Sequence, residues 1–101
     1  MNPPSEPPYQ VALSGAIREL LVQLHESAAA DGRRDEFLAA LRNIDARLRT
    51  DPATFGEEVF DLLALQLTVR VGIVLPLAVE FAVYPQQRFV YIRTFRYITS
   101  E

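Results

Sequence analysis

The chain has 101 residues, half of them hydrophobic and 23% charged, which is enough for one packed core and excludes both a disordered chain and a multidomain one. A net charge of −3 speaks against a general nucleic-acid binder, because phosphate binding is driven by basic groups that release counterions. The absence of cysteine rules out disulfides and thiolate metal sites and fits a reducing cytoplasm.

All ten basic residues are arginine; residues 1–60 carry a net charge of −4 and residues 61–101 a net charge of +1. Any nucleic-acid contact is therefore expected to be local and late in the chain. No basic segment followed by an apolar run suggests a secretory leader. The most apolar stretch, residues 71–79, contains Gly72 and Pro76 and is too short for a transmembrane helix, so a cytoplasmic, membrane-free protein is expected.

Residues 1–8 hold four prolines and predict an extended, mobile tail. Residues 9–101 read as a single domain. Residues 9–13 alternate apolar and polar, the pattern of a short strand, and Ser14 is placed to cap a following helix. Ile17, Leu20, Leu21, Leu24 and Ala28 then form one apolar stripe. Gly32 stands where a left-handed helix end requires it. A second helix carries Phe37, Leu38, Leu41, Ile44 and Leu48, with Asp45 and Arg49 spaced as an i,i+4 pair. Residues 50–52, Thr-Asp-Pro, stop it. Two amphipathic helices with a tight link predict an antiparallel hairpin.

Residues 57–63 lack a clear period and fit a helical turn or an irregular link. From Leu65 the alternation returns, with Leu65, Leu67, Val69 and Val71 on one side and Gln66, Thr68 and Arg70 on the other. Residues 72–76 read as a turn or bulge, residues 77–83 as a strand, residues 84–87 as a turn and residues 89–98 as the last strand. The expected class is α+β: a short N-terminal strand, a helical hairpin, then a three-stranded antiparallel meander to which residues 9–13 can add a fourth strand.

In that order, several short words of the chain resemble the RelE/ParE superfamily of bacterial toxins, which belong to toxin–antitoxin and plasmid-stabilisation systems. Y-Q-V-A-L-S at 9–14 is similar to its opening strand and cap, and L-R-T-D-P at 48–52 to its second helix end. L-T-V-R-V-G at 67–72, V-E-F-A-V at 79–83 and F-V-Y-I at 89–92 are similar to its strands. The resemblance implies a cytoplasmic toxin neutralised by a cognate antitoxin protein, with a helix or strand of that partner lying across it. RelE-like members cut mRNA on the ribosome with Arg, Lys and Tyr side chains, without metal or cofactor. ParE-like members act instead on DNA gyrase.

Ile73-Val74-Leu75-Pro76 replaces the polar residue, aromatic and arginine that usually follow the glycine in RelE-like members. No lysine is present, and Phe95-Arg96-Tyr97 stands in place of a Gly-His-Arg ending. The resemblance therefore implies a ParE-like protein acting by protein contact, more non-enzyme than enzyme. The alternatives are a ribosome-dependent mRNA endoribonuclease and a diverged, non-toxic interaction module.

The last strand holds most of the candidate site. A period of two puts Phe89, Tyr91, Arg93, Phe95 and Tyr97 on one face, a partner-binding platform of aromatics around an arginine. A ribonuclease centre would draw on Arg70, Arg93, Arg96 and Tyr97, with a bend near Thr94 letting both late arginines reach one place. An even pairing register would set Arg70 beside Glu80 as a cross-strand ion pair. His25, the only histidine, reads as structural because no ligand partners stand at metal spacing.

Overall fold

The computed structural model describes residues 7–99. It is α+β, with two helices and a five-stranded mixed sheet. The strands are β1 (Gln10–Leu13), β2 (Glu57–Leu62), β3 (Leu67–Val74), β4 (Leu77–Tyr84) and β5 (Phe89–Tyr97), and the helices are α1 (Gly15–Ala30) and α2 (Arg34–Thr50). Strand order across the sheet is β1-β5-β4-β3-β2. Strands β2 to β5 pair antiparallel in succession, while β1 joins β5 in parallel. The helical hairpin carries the chain from one edge of the sheet to the other. Among the described residues no helix is long and apolar enough to cross a membrane.

Local chemistry explains the hairpin. Ser14 Oγ accepts the Ile17 amide at 3.2 Å and satisfies one of the free donors at the start of α1. At the other end Arg33 N–H donates to Ala28 O at 2.8 Å and Gly32 N–H to Ala29 O at 3.1 Å, the paired bonds of a Schellman motif, with Gly32 at φ +73°. Helix α2 carries Asp35 and Glu36 in its first turn and Arg47 and Arg49 in its last, each sign matched to the helix dipole. The Arg49 guanidinium donates to both Asp45 carboxylate oxygens at 3.1 Å, forming the expected i,i+4 pair. That pair is exposed and contributes only about 0.3–0.5 kcal/mol.

The main core lies between the hairpin and one face of the sheet. Phe37, Ala40, Ile44 and Leu48 of α2 pack with Val79, Phe81 and Val83 of β4 and with Val90, Ile92 and Phe95 of β5. Helix α1 is shallower: Ala28 is its one buried residue, and Ile17, Leu21 and Leu24 are half-buried against the cluster. Phe55, in the link after α2, stacks on Phe81 with ring centroids 5.6 Å apart, and the Arg47 guanidinium lies 4.8 Å from its ring centroid.

Two expectations need correction. Residues 57–63 are not a helical turn or loose link: β2 occupies most of them and adds a fifth strand at the sheet edge. Its alternation is broken by a bulge, since Glu58 lies opposite Arg70 but Phe60 lies opposite Val69, leaving Val59 as the extra residue. Gly72 lies within β3 rather than in a turn, and the connection to β4 is only Leu75 and Pro76. A Cβ at Gly72 would fall 2.4 Å from the Phe55 ring, so glycine here makes room for an aromatic side chain.

The N-terminal segment is described only from Pro7 onward, so residues 1–6 of the expected proline tail lie outside the described residues. Pro7 is tied down, because its carbonyl accepts from Arg88 Nε at 2.8 Å, and the Arg88 guanidinium lies 4.5 Å from the Tyr9 ring centroid. The Tyr9 amide donates to Arg49 O at 2.9 Å, which fastens the entry to β1 onto the end of α2.

Candidate functional site

The sheet has one face under the helices and, among the described residues, one face with no helix on it, so the placement of each candidate side chain is decided by strand register. Directly paired residues share a face. Phe81 and Val83 face the helices, and so therefore do their partners Ile92 and Val90 on β5 and Arg70 and Thr68 on β3. Phe89, Tyr91 and Ala82 point to the open face.

The single-face platform on β5 does not form. Phe81 pairs with Ile92 but the preceding Glu80 pairs with Thr94, so Arg93 is an extra residue and the parity of the strand changes there. Beyond the bulge Phe95 pairs with Val79, Tyr97 with Leu77, and both turn to the helix side, where Phe95 is buried in the core. Phe89 and Tyr91 remain on the open face with Arg93. The period of two assumed for this strand is valid only up to Ile92.

The same bulge brings Arg93 and Arg96 to one face. Thr94 and Arg96 lie opposite Glu80 and Ala78, and Arg93 Nη1 reaches Glu80 Oε2 at 3.3 Å. Glu80 is therefore the partner of Arg93, not of Arg70. The β3–β4 register sets Val71, not Arg70, opposite Glu80. Arg70, on the other face, donates from Nε to Phe55 O at 2.9 Å and from Nη2 to Gly56 O at 2.8 Å. It pins the chain between α2 and β2. Gly56 there has φ +73°, and a Cβ on it would lie 2.1 Å from Val71 O.

Tyr97 is also committed to structure. Its hydroxyl donates to Asp31 Oδ2 at 2.8 Å, its ring packs edge-on to Phe37, and the Arg33 guanidinium lies 5.9 Å from its centroid. Desolvation first, and then the bond to the Asp31 carboxylate, raise the Tyr97 phenol above its ordinary pKa. The hydrogen bond to Glu36 raises Arg33 further in the same corner, against partial desolvation. Arg70 and Tyr97 thus lie on the helix side, and Arg93 and Arg96 on the open side. The four candidates for a cleavage centre are not brought together.

The open face is apolar over much of its area. Leu67, Val69 and Ala82 form a second small cluster, on which Tyr84 packs. The register puts Phe60 beside Val69, Leu62 beside Leu67, Tyr91 beside Ala82, and Phe89 beside Tyr84, with the last two rings 5.6 Å apart. Val69 is only 1% exposed although no helix covers it, because its neighbours on the same face close over it. Phe60 and Leu62 are 41% exposed and Tyr91 38%, and the turn Leu63–Leu65 extends the apolar surface past the end of β2. Of the acids on β2 only Glu57, opposite Val71, shares the open face; Glu58 and Asp61 pair with Arg70 and Thr68 and turn to the helix side.

His25 packs its ring 5.5 Å from Phe37, and its Nε2 is buried without a hydrogen-bond partner among the described residues. Sequence reasoning missed the β2 edge and the second cluster. The exposed Phe60-Asp61-Leu62-Leu63-Ala64-Leu65 run was the signal for the edge, hidden by the bulge at Val59. Comparison with protein-family models, with curated proteins and with solved structures finds no match.

Proposed function

We propose that this chain acts by protein–protein contact, as a ParE-like toxin component of a toxin–antitoxin pair in the bacterial cytoplasm. The observation that carries the reading is the open sheet face, where Phe60, Leu62 and Tyr91 stand exposed around a floor of Leu67, Val69 and Ala82. A contiguous apolar face with a charged border is the surface a partner protein covers.

The division of Arg70 and Tyr97 from Arg93 and Arg96 supports contact over RNA cleavage, since general acid–base work needs its groups within hydrogen-bond reach of one substrate. The RelE/ParE resemblance supplies the antitoxin as first partner and DNA gyrase as target. One specific observation favours the ribonuclease as second reading: Arg93 and Arg96 share a face with Tyr91.

The test is expression of the chain alone in a bacterial host, followed by expression with the gene beside it. Growth arrest with loss of gyrase supercoiling and intact mRNA is the expected result, relieved by the neighbouring gene. Unimpaired growth would remove the toxin reading. mRNA cleavage that disappears in Arg93→Ala and Arg96→Ala would establish the ribonuclease instead.

A further inference from the structure

The helix side of the sheet holds an opening separate from the open face. Between the hairpin and the β1 edge lies a cleft of 590 Å³, walled by Leu21 of α1, Ile44 and Leu48 of α2, Leu13 of β1 and Phe95 of β5. That volume falls within the roughly 300–1,000 Å³ of small-molecule sites. The cleft exists because α1 packs shallowly and β1 is only four residues long, so neither element closes the end of the layer.

Its polar lining comes from α2 alone. Asp45 and Arg49 neutralise each other at 3.1 Å, whereas Arg42 makes no hydrogen bond or ion pair among the described residues. The mouth therefore carries one uncompensated positive charge above an apolar interior. An apolar cavity with one free guanidinium at its rim matches a ligand with a hydrocarbon tail and a single anionic head.

We propose that this cleft binds a medium- or long-chain carboxylate, tail inward between Leu21 and Phe95 and head on Arg42. A carboxylate accepts two parallel N–H bonds from a guanidinium, which a hydroxyl or ammonium head cannot do. The site shares no residue with the open sheet face, so it stands whether or not the chain is a toxin.

The probe is dodecanoate, kept below its micelle concentration and titrated into the full chain by calorimetry, with amide shifts followed by NMR. The expected result is saturable one-to-one binding, with shifts concentrated at Leu13, Leu21 and Phe95. Dodecyltrimethylammonium should bind at least about tenfold more weakly, and Arg42→Glu should weaken dodecanoate by about tenfold or more, while Arg42→Lys, which keeps the charge but loses the two-pronged fork, should weaken it by less than Arg42→Glu. Leu21→Trp, which fills the cleft, should abolish binding while circular dichroism stays unchanged. Arg42 is exposed, so its variants remain informative even if Leu21→Trp unfolds. Absence of saturable binding, equal binding of the cationic amphiphile, indifference to Arg42→Glu, or shifts confined to the open face would each overturn the proposal.

Discussion

The two faces of the sheet are built from similar residues and bury them to different extents. On the helix side Phe81, Val83, Val90 and Phe95 are buried under α2, and their apolar area is spent on holding the domain together. On the open side Phe60, Leu62 and Tyr91 are left in solvent around a small buried floor, and their area is available to something else. Composition does not separate these two sets. Register does, and register is set by two bulges, at Val59 and at Arg93.

The strongest way to break the comparison is at the core. Phe81→Ala removes a ring with no solvent exposure and should cost about 3–5 kcal/mol by urea denaturation, close to the whole stability of a domain this size. Tyr91→Ala on the opposite side of the same sheet should cost below about 1 kcal/mol. Equal losses would mean that something in the protein covers the open face.

Gly72→Ala comes next. The added methyl meets the Phe55 ring, itself in contact with Phe81 and Arg47, and should cost about 1–3 kcal/mol in the same measurement. A neutral result would show that Phe55 can swing away from β3.

A smaller effect comes from Asp51. Its carboxylate accepts from Arg47 Nε at 3.1 Å and from Thr54 Oγ1 at 3.0 Å, and these bonds, with Arg47 the larger cause, hold its pKa below the usual aspartate value. A carboxylate depressed by folding stabilises above its unfolded pKa, about 4, and that contribution fades as pH falls through the lowered folded value. Asp51→Asn should therefore flatten the acid limb of the stability curve below about pH 4 and leave the neutral region shifted by a constant. The smallest effect is expected at Arg93→Ala, where a half-exposed ion pair with Glu80 is lost at a cost of below about 1 kcal/mol in thermal or urea unfolding.

The helices were legible in the sequence because their signals are local. Ser14 and Gly32 mark the ends of α1, and the Phe37, Ile44 and Leu48 spacing marks the buried stripe of α2. The strands β3, β4 and β5 were legible as strands from their alternation. Which face the later residues take was not legible. The shift at Arg93 depends on how β5 meets β4, a non-local fact, and it moved Phe95 and Tyr97 away from Tyr91. The partner of Glu80 changed for the same kind of reason, since one step of register separates Arg70 from Val71. β2 was hidden because Val59 interrupts its period, and the cleft beside β1 because a cavity is a property of packing between distant segments.

The claim on which the account rests is that the open face is the working surface. It is tested most directly by a double charge substitution there, Leu62→Glu with Tyr91→Glu, assayed for growth arrest and for complex formation with the product of the adjacent gene. Under the proposed toxin function, the arrest and the complex expected of the unsubstituted chain should both be lost while the thermal midpoint stays within a few degrees, about what a surface change costs. A fully folded double variant that still arrests growth and still binds that partner would contradict it.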